Sequence, residues 1–128
     1  MTDHARCIIT SGTVLIIEDD ADIRDVLADI LREEGYQVAT AEDGIAALAW
    51  LERNPEPCII LLDLYMPVMD GEEFRAAQLR DQRRAHIPII VVSAARDVDT
   101  RARALGAAGY LQKPLQLEEL LEIVAAIC

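Results

Sequence analysis

Three carboxylates stand directly behind apolar runs in this sequence. Glu18 and Asp19 follow Thr13 to Ile17, and Asp63 closes Leu61-Leu62 just before Leu64. Ser93 follows a third run, Pro88 to Val92, and Lys113 lies just past a fourth, Gly109 to Leu111. Ionised at close range, the three carboxylates repel one another, so a cation has to accompany them. Oxygen ligands with no His or Cys nearby favour a hard ion, and Mg²⁺ takes a few carboxylates, water and a phosphate oxygen. Lys113 is the only lysine among 12 basic residues, so a compact ammonium occurs at this one position. The X-Pro bond formed with Pro114 allows a cis geometry that turns the lysine back across the strand edge. Asp63 carries the most weight, because an unpartnered carboxylate closing an apolar strand is costly to desolvate. Asp20 and Asp22 read more simply as caps of the following helix, and Ser93 taken alone as a loop residue.

These residues need elements that bring them to one place. The apolar runs Thr13 to Ile17, Cys58 to Leu62 and Pro88 to Val92 are continuous and rich in β-branched residues, as in strands covered on both faces. Weaker strands are expected at Tyr36 to Thr40 and Gly109 to Leu111. Between them, Ile23, Val26, Leu27, Ile30 and Leu31 share one helical face that stops at Gly35. A second helix is expected from the cap Asp43 to Arg53. A third follows Asp70 and Gly71, with Phe74, Ala77 and Leu79 as an imperfect stripe. A fourth carries Val98, Ala102 and Leu105 inward as far as Gly106. The last places Leu117, Leu120, Leu121 and Val124 on one face, with Glu118 and Glu119 in its first turn. Strict alternation of strand and helix implies right-handed βαβ crossovers and a parallel sheet with helices on both faces. In such a sheet the ligand site lies outside the carboxyl ends of the strands, where Glu18, Asp19, Asp63, Ser93 and Lys113 all fall.

At 128 residues, 52% apolar and 27% charged, the chain has the size and make-up of one domain with its own core. The net charge of −11 repels nucleic acid and anionic membranes, so protein or small-molecule partners are expected instead. No apolar run approaches the length of a membrane span. Cys7, Cys58 and Cys128 are odd in number, far apart and without a CxxC pair, so neither a disulfide framework nor a zinc site is expected, and a cytoplasmic location fits. Residues 1–12 form an N-terminal extension and 13–128 the domain. His4 and His86 read as solvated loop residues without a paired partner, and Trp50 as a packing residue. Ile123 and Ile127 lie off the stripe of the last helix, as a partner surface or a widened core face.

The stretches VLIIEDD at 14–20, LLDLYMPVMDG at 61–71, VVSA at 91–94 and GYLQKP at 109–114 resemble the receiver domains of two-component response regulators over nearly the whole chain from Thr13. The resemblance implies a flavodoxin-like doubly wound fold with strand order 2-1-3-4-5. It implies that Asp63 is a phosphoacceptor served by a histidine kinase or phosphotransfer protein. Glu18 and Asp19 would be the acidic pair serving Mg²⁺, with Asp63 and the backbone carbonyl of Tyr65 completing the protein's ligands. Ser93 would bind a phosphoryl oxygen, Lys113 pair with the phosphoaspartate, and Tyr110 turn inward on activation. The fourth helix, fifth strand and fifth helix would then change as a surface that controls a separate target protein or forms a homodimer. Such a domain is a switch rather than an enzyme, although it promotes its own phosphotransfer and slow autodephosphorylation. With no stretch left beyond Cys128 for an output domain, a stand-alone receiver is expected.

Two positions depart from the common pattern. Tyr65, two past Asp63, is bulky where many relatives are small and polar, and Ala95, two past Ser93, has no group to position a water. Slow loss of the phosphoryl group is therefore expected. Glu18 in place of the commoner Asp lengthens one metal-side carboxylate. A haloacid-dehalogenase-like phosphatase is disfavoured, because Tyr65 stands where its Asp-x-Asp motif needs an acid. A degenerate receiver-like binding module is the other alternative, and the full set of Asp63, Asp19, Ser93 and Lys113 weighs against it.

Overall fold

A computed structural model of the protein describes residues 12–128; His4 and Cys7 lie outside them. Strands β1 (Thr13–Ile17), β2 (Gln37–Ala41), β3 (Ile59–Asp63), β4 (Ile89–Ser93) and β5 (Gly109–Gln112) alternate with helices α1 (Ala21–Glu33), α2 (Gly44–Arg53), α3 (Gly71–Arg80), α4 (Val98–Ala104) and α5 (Leu117–Ile127). All strand pairs are parallel and the order is β2-β1-β3-β4-β5, as the motifs imply. Strands three and four end one residue later than their apolar runs. Ladder pairing continues through the polar ends, with Asp63 opposite Val92 and Ser93 opposite Gln112.

Alternation along each strand splits the apolar runs between two cores. Leu15, Ile17, Ile60, Leu62, Ile89 and Val91 pack with Ala47, Leu51, Phe74, Val98 and Ala102 from α2, α3 and α4. Val14, Ile16, Ile59, Leu61, Ile90, Val92 and Leu111 pack with Leu27, Ala28, Leu31, Leu120 and Val124 from α1 and α5. A strand serving both faces has no polar alternation to show, which explains the continuous runs. Trp50 joins the first core as a packing residue. Gly35, at φ 101°, ends α1 in a left-handed conformation that costs glycine least.

Several side chains differ from expectation. Leu117 and Leu79 are exposed rather than inward, Leu117 because the inward face of α5 is carried by Leu120 and Val124, with Ile123 and Ile127 partly buried beside them. The α3 stripe is imperfect because polar residues occupy it: Phe74, Arg75 and Gln78 are buried together. His86 does have a partner, a 2.8 Å contact between Nε2 and Glu56 Oε2 across two loops, though both side chains are well exposed. The cysteine expectation is corrected. Cys58, just before β3, and Cys128, just after α5, form a disulfide with Cα atoms 5.5 Å apart. A sequence separation of 70 concealed the pair, because only the packing of α5 across β3 brings the two together.

Candidate functional site

The carboxyl ends of β1, β3, β4 and β5 converge as expected. Asp20 caps α1 by accepting from the backbone N–H groups of Asp22 and Ile23, so the chain leaves β1 through a tight turn that keeps Glu18 inside and Asp19 exposed. The Asp20 N–H donates to Glu18 Oε2 at 3.2 Å, and Arg24 donates to the Glu18 carbonyl at 2.8 Å. At the end of β3, Gly71 must be glycine. An added Cβ would meet the Asp63 carbonyl oxygen at 2.5 Å and Leu64 Cα at 2.8 Å, so α3 starts in direct contact with the backbone beside Asp63. Asp70 caps that helix in a reciprocal box with Glu73.

Glu18 and Asp63 are buried, at 2% and 4% exposure, and together with Asp19 they place one oxygen each within 4.8 Å of the others. Lys113 Nζ lies 2.8 Å from Glu18 Oε1 and 3.7 Å from Asp63 Oδ2. The Lys113–Pro114 bond is cis. The Tyr65 N–H donates to Asp63 Oδ1 at 3.3 Å. Ser93 is fully buried; its Oγ accepts from the Ala95 N–H at 3.1 Å and its carbonyl accepts from the Lys113 N–H at 2.9 Å.

The electrostatics follow from this crowding. Burial, reinforced by the charge and hydrogen bonding of Glu18, pushes the Asp63 carboxyl up to about 7, and Lys113 and the Tyr65 N–H only partly offset it. Desolvation works to lower the Lys113 ammonium, but Glu18, Asp63 and Asp19 outweigh it and hold the lysine above its ordinary value. One ammonium against three carboxylates leaves an excess of negative charge pointing at a single small volume. A hard divalent cation fits that donor set, since it would relieve the repulsion with oxygen ligands alone.

Tyr65 and Tyr110 are both exposed, Tyr65 on the loop after β3 and Tyr110 on β5 opposite Val91. Two contacts escaped the sequence reading. The Glu18–Lys113 pair spans 95 residues, and its only trace in the sequence is that the lysine is unique. Arg101 on α4 lies over the Tyr65 ring, its guanidinium carbon 5.4 Å from the centroid. Nothing in the local sequence distinguishes Arg101 from the other arginines.

The family model described as the response regulator receiver domain matches residues 14–125. The transcriptional regulatory protein PrrA of Mycobacterium tuberculosis is 42% identical over 121 residues, covering 93% of this chain and 51% of that protein. The chain thus spans about half the length of the curated relatives it matches. Among solved structures, the chemotaxis response regulator CheY4 of Vibrio cholerae superposes with a TM-score of 0.83 at 32% identity, covering 93% of this chain and all of that one. The receiver domain of the sensor histidine kinase PA1611 from Pseudomonas aeruginosa, described with a magnesium ion coordinated in its active site cleft, has a TM-score of 0.83 at 30% identity over 91% of this chain and 97% of its own. Among the described residues no helix is long and apolar enough to cross a membrane.

Proposed function

The chain belongs to the response regulator receiver domain family, and on that premise we propose that Asp63 accepts a phosphoryl group from a histidine kinase or phosphotransfer protein. The observation that carries this reading is the placement of one buried carboxylate, Asp63, beside the Glu18–Lys113 pair, 3.7 Å from the lysine. In the transfer, an Asp63 oxygen attacks phosphorus as the bond to the donor imidazole nitrogen breaks and its electron pair returns to that ring. Glu18, Asp19, Asp63 and the Tyr65 carbonyl would hold Mg²⁺, which supplies charge neutralisation on the phosphoryl oxygens. Each Glu18 oxygen already accepts one hydrogen bond, one from Lys113 and one from the Asp20 N–H, and keeps a lone pair for an ion or its water. Lys113 has to move little to exchange Glu18 for a phosphoryl oxygen on Asp63, and the Ser93 hydroxyl is the donor on the opposite side.

The readout surface in this proposal is α4, β5 and α5. Tyr110, exposed on β5, would turn inward once Ser93 is drawn toward the phosphoryl group, with only the small Ala94 beside Ser93. A groove of about 390 Å³ between α1 and the start of α5, lined by Ile23, Val26, Leu117 and Lys113, runs into the site and suits the apolar face of a donor protein. The domain unit is read as residues 13–128, its acidic surface acting on a protein target or a second copy of itself rather than on nucleic acid directly. Incubation with ³²P-labelled acetyl phosphate and Mg²⁺ is expected to label the parent stoichiometrically and leave Asp63→Asn unlabelled. Equal labelling of the two proteins would sink the assignment.

A further inference from the structure

Arg101 occupies an unusual position among the arginines. It lies in α4, yet its side chain reaches toward three elements around the site. The guanidinium lies over the Tyr65 ring on the loop after β3, Nη1 is 3.9 Å from Glu72 at the start of α3, and Nε is 3.5 Å from Asp97 on the loop after β4. The loop after β3 begins at Asp63, and the loop after β4 follows the strand next to it. Tyr65 itself is tied to Asp63 through its backbone N–H and is more than half exposed, while the Arg101 side chain is only 32% exposed.

We propose that Arg101 is a positioning residue that holds the Tyr65 ring across the mouth of the phosphorylation site and so sets the lifetime of the phosphorylated state. The proposal rests on the phosphoacceptor reading of Asp63 and adds to it the residue that governs hydrolysis. In that step a water oxygen forms a bond to phosphorus, the bond from phosphorus to Asp63 breaks, the carboxylate is regenerated and inorganic phosphate leaves with the water's proton passed to solvent. The attacking water approaches in line, from the side opposite the Asp63 oxygen. Ala95 offers no group to orient it, so access is the remaining control. A free tyrosine on a loop samples several rotamers, whereas one covered by a guanidinium anchored by two carboxylates is biased to one. Glu72 and Asp97 hold Arg101 in reach of the ring, and Arg101 holds the ring.

The test is a double-mutant cycle on first-order loss of label after removal of acetyl phosphate. Arg101→Ala is expected to lose label about two- to fivefold faster than the parent, the factor matching an exposed cation–π contact. In the Tyr65→Asn background, itself faster than the parent, Arg101→Ala is expected to add nothing. Thermal denaturation of each protein confirms that folding is retained, and Arg101→Gln serves in place of Arg101→Ala if that variant does not fold. Unchanged decay in Arg101→Ala, or the full effect persisting without the Tyr65 ring, overturns the proposal while leaving Asp63 as phosphoacceptor. A parent that takes no label overturns the phosphoacceptor reading and this proposal with it.

Discussion

Two clusters of buried charge lie among the described residues and are resolved in opposite ways. On the α3 side, Arg75 is 7% exposed and has no carboxylate partner among the described residues, yet every arm of its guanidinium is used: Nε donates to the Leu105 carbonyl at 2.9 Å, Nη2 to the Gly106 carbonyl at 3.1 Å and Nη1 to Gln78 Oε1 at 2.7 Å. Gln78 passes its own donors to the carbonyls of Arg84 and Ile87. The cation thus sits at the negative end of α4 and closes it. At the strand ends, by contrast, Glu18 and Asp63 share one lysine, and Asp63 is left with its pKa pushed up to about 7. A satisfied buried charge binds the fold together. An unsatisfied one, kept in a well-packed domain, marks the place where a ligand completes the structure.

That contrast makes unequal demands on mutants. Arg75→Ala should give the largest effect, a loss of about 3 kcal/mol measured by urea denaturation, because it strands buried carbonyls and the Gln78 amide. A loss no larger than that of a surface substitution would erase the distinction between the two clusters. At the other cluster the signature is pH dependence. The folded pKa of Asp63 lies above its ordinary value of 3.8, at about 7. Its protonated form is therefore favoured by folding, and that contribution is fully present below the ordinary value and lost as pH rises through the folded one. In chelator, the melting temperature should fall between about pH 5 and 8, while saturating Mg²⁺ or Asp63→Asn should remove this part of the slope. A slope that survives in Asp63→Asn would place the titrating group elsewhere. The smallest effect belongs to the loop beside Asp63, where Val68 is 79% exposed and held at φ 70°, a conformation β-branched residues resist. Val68→Gly is expected to gain about 0.5 kcal/mol in the same denaturation assay, strain relief being partly offset by the entropy of glycine.

The two clusters also differ in how far they could be read beforehand. Glu18, Asp19, Asp63, Ser93 and Lys113 are legible because each ends a run that must be a strand, and parallel topology sends all such ends to one edge. The strands themselves are legible because β3 and β4 are buried on both faces and show no polar residue before their last. Arg75 and Gln78 left no such trace. Their partners are backbone carbonyls of residues 84, 87, 105 and 106, which every residue possesses, so no side-chain pattern announces them. Their burial registered only as a flaw in the α3 stripe. Leu117 and Leu79 misled for a related reason, since apolar spacing shows which residues could face a core and not where the neighbouring element ends. The pairs Glu18–Lys113, Arg101–Tyr65 and Cys58–Cys128 are products of tertiary assembly between segments with no shared local pattern.

The bond between Cys58 and Cys128 also changes the connectivity of the molecule. Residues 58–128 form a closed ring, and residues 12–57 leave it as a branch. Asp63, Ser93 and Lys113 are on the ring, whereas Glu18 and Asp19 are on the branch. A single backbone cut inside the ring leaves the three ring residues on one covalent piece, but a cut between α1 and β3 separates them from the two acids. Tension applied at Cys128 bypasses α5 and arrives at Cys58, the residue just before the strand that carries Asp63.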